Sequence, residues 1–198
     1  MAGIRACYHR RRPGKILTTV LTTLGLFLSP LGPLTLPCAA ATAEEHCPAT
    51  IRLLPDGEFF TELTRAIRQA SQEITMAYFL IKPSASKDNK PTAIMHELGL
   101  ARKRGVQVTV LLERSDHFAD VDTANNRAAA MLREQGIQVR FDAPNRTTHA
   151  KLAVIDRRFC FIGSHNLTQA ALTYNHEFSL LLDDREIAAQ LLHYISDL

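Results

Sequence analysis

The chain has 198 residues, 46% of them hydrophobic and 22% charged, with a formal net charge of +3. That supports one ordinary domain with its own core and excludes a disordered chain. The positive excess sits in residues 1–43, whose removal leaves 18 basic against 20 acidic residues, so a global attraction to nucleic acid or anionic lipid is not supported, and any such binding must come from local patches.

Arg10, Arg11, Arg12 and Lys15 form a positive stretch, and residues 16–28 are apolar and uncharged. Pro30, Pro33 and Pro37 follow, and Ala41-Thr42-Ala43 offers a small-x-small site before Glu44. This order predicts a secretory signal peptide over 1–43 and an exported mature chain, 44–198, periplasmic or secreted. A membrane anchor is the alternative, but the apolar run is short of the roughly 20 residues a span needs. Cys7 and Cys38 leave with the signal, and Cys47 and Cys160 remain. Cys160, within Phe159-Cys160-Phe161-Ile162, reads as a buried thiol, with a Cys47–Cys160 bridge as the alternative.

Residues 50–54 predict a short strand and Pro55-Asp56-Gly57 a turn. Over 58–71, Phe59, Phe60, Leu63, Ile67 and Ala70 recur at helical spacing. Residues 73–80 read as a strand, and 82–91, with Pro83 and Pro91, as a polar loop. Residues 93–104 predict a helix stopped by Gly105 after the basic turn Arg102-Lys103-Arg104. A strand follows at 106–112, a helix at 123–135 ended by Gly136, and a strand at 137–141. Between them, the acidic stretch from Asp116 to Asp122 lacks the glycine turn and terminal glutamate of a calcium loop. Strands at 148–155 and 159–162 are joined by Asp156-Arg157-Arg158. A short helix at 166–173, a strand at 176–182 and a helix at 184–196, capped by Asp183 or Asp184, complete the chain. Alternating strands and helices, with several strands apolar on both faces, predict a three-layer α/β/α sandwich on a mixed, largely parallel sheet.

The chemistry is concentrated between His149 and Asn166. The stretch holds His149-x-Lys151, then Asp156, then Gly163-Ser164-x-Asn166. Six fixed residue types at fixed spacing arise by chance at about one in 10⁸ per starting position, at roughly 5% abundance each. Two residues apart on a strand, His149 and Lys151 share a face. The ammonium disfavours protonation of the imidazole, which keeps a nucleophile beside an anion-binding charge. Gly163-Ser164-His165-Asn166 leaves a strand and opens a helix, where backbone N–H groups, Ser164 and Asn166 offer donors to an anion. Glu177, on the next strand, is placed to accept from the second imidazole nitrogen of His149. Lys151 and Asn166 supply the charge stabilisation, so no metal and no cofactor is required, and no Cys/His spacing suits zinc. His165 and His176 read as pocket-rim or surface residues.

At these residues the sequence resembles the phospholipase D superfamily, whose signature is this His-Lys-Asp motif with the downstream Gly-Ser-x-Asn. Met76-Ala77-Tyr78-Phe79 and residues 102–108 are similar to the family's N-terminal half, so the resemblance spans about 48–198. A single motif in so short a chain resembles the small bacterial nucleases and the cardiolipin hydrolase branch. The resemblance implies a phospholipase D-type phosphodiesterase. In it His149 attacks phosphorus to form a phosphohistidine, and Lys151, Ser164 and Asn166 hold the phosphoryl oxygens. Glu177 orients His149, and Asp156 supports the site without touching substrate. It also implies two histidines per site, and therefore a homodimer with one shared active site. Phospholipid is the favoured substrate. The alternative is a nonspecific metal-independent endonuclease acting on DNA or RNA, with Arg140, Arg146, Arg157 and Arg158 lining a basic groove. A catalytically silent binding module on the same fold would show a broken motif, and this motif is intact.

Overall fold

The structure, a computed structural model, describes residues 4–6, 49–114, 118–143 and 146–198. The proposed signal segment therefore lies outside the described residues, apart from the strand at 4–6, and so does Cys47.

Among the described residues eight strands form one sheet: β1 (Ile4–Ala6), β2 (Ala49–Pro55), β3 (Glu73–Tyr78), β4 (Gln107–Leu112), β5 (Gln138–Phe141), β6 (Lys151–Ile155), β7 (Phe159–Gly163) and β8 (Phe178–Asp183). Their spatial order is β1-β2-β8-β7-β6-β3-β4-β5. The helices are α1 (Gly57–Gln69), α2 (Lys90–Lys103), α3 (Ala119–Glu134), α4 (Gln169–Thr173) and α5 (Arg185–Ser196).

The sheet is mixed, as the sequence predicts, but it is not largely parallel. Only β3–β4 and β4–β5 run parallel, each pair joined through a helix. The other pairs are antiparallel. The cause is local at β6–β7. Asp156 and Arg157 take φ of 54° and 53°, a left-handed pair that reverses the chain in a tight hairpin and fixes antiparallel pairing. Beyond it, β8 returns along β7, and β2 joins β8 from the other side.

Helices cover both sheet faces unequally. On one face α1, α2, α3 and α4 bury Leu63, Ile67, Leu98, Leu132 and Leu172 against Met76, Val110 and Ala153. Leu63→Ala there costs about 2–5 kcal/mol. On the other face, among the described residues, α5 alone packs, setting Ala188 and Ile195 on Val154, Cys160 and Leu182. Cys160 is a free buried thiol, and burial, with the charges of Asp184 and Asp183, pushes it up to about 12.

Several boundaries differ from the sequence reading. Helix α2 begins at Lys90 because Asn89 accepts the Thr92 N–H and Pro91 sits in the first turn, where its missing N–H costs nothing. Helix α3 begins at Ala119, four residues early, with Asp120 and Asp122 in the first turn, where acids suit the helix dipole. Helix α4 begins at Gln169, not Asn166, because Thr168 supplies the cap to Ala171. Asp184 caps α5 through the N–H groups of Glu186 and Ile187, as expected.

Candidate active site

The parallel strands β3 and β4 end where β6 begins, and the register Tyr78↔Lys151 fixes this. The end of β7 and the start of β8 lie at the same end, with Gly163 opposite Ser179. The motif residues other than Asp156 therefore gather at the carboxyl end of the parallel strands, where open α/β sheets place their sites.

His149 does not lie within a strand. The ladder reaches Ala150, whose carbonyl accepts the Phe79 N–H at 2.9 Å, and His149 stands just outside it. Its ring packs on Phe79, centroids 4.6 Å apart, and Phe79 in turn meets Phe118 edge-on at 5.9 Å. Loss of solvent, then the charge of Lys151, holds the imidazole below the ordinary histidine pKa, which favours the neutral ring at neutral pH. Lys151 is buried. Its ammonium donates to the His149 carbonyl at 2.9 Å and lies 5.1 Å from the Phe79 ring centroid. Burial lowers its pKa, against the charge of Glu177.

The expected helix N-terminus at Gly163-Ser164 is absent. The Ser164 N–H is taken by the Phe178 carbonyl at 3.0 Å, and α4 starts further on. Gly163 is required by close approach, since a Cβ there would collide with Ser179 Oγ and the Phe178 carbonyl oxygen. Ser164 Oγ donates to Glu177 in a short hydrogen bond. The other Glu177 oxygen accepts from Asn175 at 3.1 Å. Glu177 is thus joined to Ser164 and Asn175 rather than to His149. The Oδ1 atom of Asn166 is buried and has no protein partner.

Asp156 stands apart from the other motif residues. It follows β6 at its far end, about 17 Å from Lys151 at 3.3 Å per residue. Its carboxylate accepts from the amides of Ser71, Gln72 and Glu73 and from Ser71 Oγ. Burial alone would raise its pKa, but these donors outweigh it and hold the carboxyl below its usual value. Asp156 pins the α1–β3 turn and does not reach the reacting end. Arg157 and Arg158 share that far end, paired with Glu73 and Asp183, while Arg140 and Arg146 are exposed.

His165 is a correction: it is fully buried, not at a rim. It stacks on Phe59 with centroids 4.4 Å apart. Its Nε2 lies 3.0 Å from the Asp56 carbonyl and its Nδ1 2.8 Å from Ser179 Oγ. A carbonyl only accepts, so Nε2 carries the proton and Nδ1 accepts from Ser179. Asp56 in turn accepts the Glu177 N–H at 2.9 Å, which fixes the Glu177 segment. His176 is exposed beside Asp56, as expected. Glu113, Asp142 and Thr148, which sequence reasoning passed over, are buried next to His149. The signal was an acid closing the apolar strand Val108-Thr109-Val110-Leu111-Leu112.

A neutral imidazole, a buried ammonium and a serine–glutamate pair at one strand end can attack and hold an anionic tetrahedral group. A family model described as "Cardiolipin synthase, PLD-like domain" matches residues 63–198. The chain is 31% identical over 147 residues to mitochondrial cardiolipin hydrolase of Homo sapiens, covering 74% of this chain and 52% of that protein. It is 31% identical over 139 residues to polyphosphate kinase of Vibrio vulnificus, covering 67% and 19%. In fold it is similar to the phospholipase D family member Nuc from Salmonella typhimurium, with a TM-score of 0.64 at 24% identity, covering 75% of this chain and 93% of that one. The chain spans between 19% and 57% of the length of the curated relatives it matches.

Proposed function

The chain belongs to the cardiolipin synthase, PLD-like domain family within the phospholipase D superfamily, and from that premise we propose that it is a phosphodiesterase in which His149 attacks phosphorus. The carrying observation is the neutral His149 imidazole set against the buried Lys151 ammonium. Attack at phosphorus forms the phosphohistidine as the leaving oxygen takes a proton from His149 of a second copy and departs as the alcohol. Water, giving up a proton to that second histidine, then releases the phosphomonoester and restores the imidazole. Lys151, Ser164 and Asn166 hold the phosphoryl oxygens, and Glu177 fixes Ser164. No divalent metal takes part.

Phospholipid is the preferred substrate. Two of the four arginines considered for a basic groove are ion-paired at the far end of β6, and exposed aromatics, Phe118, Tyr174 and Phe178, stand around the motif. The exposed Arg146, three residues before His149, favours the second reading, a nonspecific endonuclease. The working unit is a homodimer sharing one site. An apolar row runs beside the site at the edge of the α5-covered sheet face: exposed Leu53 opposite half-buried Leu180, Leu180 opposite half-buried Ile162, and exposed Phe178 one step on. A second copy would cover it. The signal over 1–43 exports the protein.

Parallel assays on plasmid DNA, RNA and cardiolipin or phosphatidylcholine vesicles, all in excess EDTA, test this reading. Vesicle hydrolysis that survives EDTA and falls at least about 10³-fold in His149→Ala supports it. A variant that keeps a tenth of the wild-type rate, or activity lost to EDTA and restored by a divalent ion, overturns it.

A further inference from the structure

Thr148, the residue before His149, is held from two sides by buried carboxylates. Its N–H donates to Glu113 Oε2 at 2.7 Å, and its hydroxyl donates to Asp142 Oδ2 in a short hydrogen bond. All three residues are buried, Glu113 to 1% exposure. Glu113 directly follows β4 and Asp142 directly follows β5, so each acid is aimed by the end of a core strand. Their backbones are anchored in turn. The Glu113 N–H donates to the Tyr78 carbonyl at 3.2 Å and the Asp142 N–H to the Leu112 carbonyl at 2.9 Å. Asn125 of α3, itself fully buried, donates to the carbonyls of Glu113 and Phe79 and accepts the Ile81 N–H.

The segment that carries His149 lacks ladder pairing of its own until Ala150. Without another restraint, the residue before the nucleophile would be free to pivot. A carboxylate accepting a backbone N–H makes a strong, short bond, and burying a carboxylate is costly unless its donors are in place. Asp142 also accepts the Ala143 N–H at 2.6 Å, but two buried carboxylates converging on one threonine are hard to explain as fold support alone, because apolar residues of similar volume would fill the space at lower cost. Burial pushes the Glu113 carboxyl up, with the Asp142 charge adding to it and the Thr148 N–H opposing it, so the arrangement is held against an electrostatic penalty.

We infer that Glu113 and Asp142 are positioning residues for His149: they grip Thr148 by its amide and its hydroxyl and so set where the imidazole enters the site. The inference rests on His149 being the nucleophile of the proposed reaction. Neither acid touches substrate. Both act through Thr148, and a displacement of about 1 Å at the reacting group costs on the order of 10²-fold in rate.

The test uses the full chain with bis(4-nitrophenyl) phosphate, a chromogenic phosphodiester, and proton NMR of the His149 ring. Thr148→Val is isosteric and removes only the hydroxyl. Glu113→Ala removes the amide's acceptor, while Glu113→Gln and Thr148→Ser restore a partner. The expected result is a kcat lowered about 10- to 100-fold in Thr148→Val and Glu113→Ala, with KM within about twofold. The His149 ring resonances should move in both, and Thr148→Ser and Glu113→Gln should recover most of both losses. Wild-type kcat and an unmoved ring in Thr148→Val overturn the inference. So does a loss that the conservative variants do not recover and that follows the melting temperature, which marks fold support. If Glu113→Ala does not fold, Thr148→Val decides alone. If wild-type protein leaves the diester intact, the phosphodiesterase reading fails. The ring resonances then decide the clamp: displaced in Thr148→Val they uphold it, unmoved they overturn it.

Discussion

Lys151 turns its ammonium back onto the carbonyl oxygen of His149, 2.9 Å away. The motif's buried cation is thus folded against the backbone of the exposed His149. Two consequences follow for one side chain. In the proposed reaction the charge meets an anionic substrate, and it adds to the loss of solvent in lowering the neighbouring imidazole's pKa.

Lys151→Met removes both effects while keeping much of the stem's volume. Activity on the preferred diester should fall about 10²- to 10³-fold, as for loss of one preorganised donor to developing charge. The His149 titration, followed by NMR, should move upward, because the Lys151 charge lowers it. Lys151→Arg should not rescue, since a planar guanidinium does not fit a buried ammonium's place. A His149 titration unchanged in Lys151→Met would remove the electrostatic link between them.

Asp156 should behave as a stability residue. Asp156→Ala strips the acceptor from three backbone amides and one hydroxyl at the α1–β3 turn, a loss of about 2 kcal/mol at hydrogen bonds to a charged group. Chemical denaturation should show that loss, while kcat per folded molecule stays within about threefold of wild type. A kcat loss comparable to that of His149→Ala, in protein that remains folded, would place Asp156 in the chemistry after all.

His165 links pH to stability. Loss of solvent lowers its pKa, against the Asp56 carbonyl and the charges of Glu177 and Asp56. The unfolded chain then takes up the proton before the folded one does. The imidazole's contribution is complete above the ordinary histidine pKa of about 6.5 and is lost as pH falls through the lower folded value. Wild type should exceed His165→Gln in denaturant midpoint at pH 8, and the gap should narrow as pH falls below about 6.5. A gap constant from pH 8 to 5 would show that the buried ring titrates at its ordinary value.

Much of the fold was legible in local pattern. The apolar spacing of Phe59, Leu63 and Ile67 marked α1, and Gly105 and Gly136, both at positive φ, marked where α2 and α3 give way to strands. Strand direction was not legible, because it depends on which strands meet. Alternating strands and helices suggest crossovers everywhere, yet the hairpin at Asp156-Arg157 and the return of β8 make most pairs antiparallel. At the site, the residue types of the motif named His149, Lys151, Ser164, Asn166 and Glu177. They did not reveal that Asp156 stands a strand's length from His149, or that Glu177 engages Ser164. Nor did they reveal Thr148, whose partners lie 35 and 6 residues away in the chain, contacts that no local spacing encodes.

The proposed shared site makes a quantitative prediction. One phosphoryl transfer calls for a histidine that attacks and a second group that protonates the leaving oxygen. Among the described histidines besides His149, His165 is buried with both nitrogens engaged, His176 lies beside Asp56, His193 on α5 lies beside Asp197, and His96 lies within α2. A two-fold axis through the site would bring His149 of a second copy to the opposite side of the phosphate, with the Leu53, Ile162, Phe178 and Leu180 row buried between copies. Wild-type and His149→Ala chains, co-refolded at varied ratios with total protein fixed, should then lose activity as the square of the wild-type fraction, because a mixed dimer has one histidine where two are needed. Leu180→Asp, in the centre of the row, should shift the protein toward monomer in sedimentation and lower activity in a way that rising protein concentration partly restores. A linear fall on mixing would mean that each subunit works alone, and the general acid would then have to be sought within one chain.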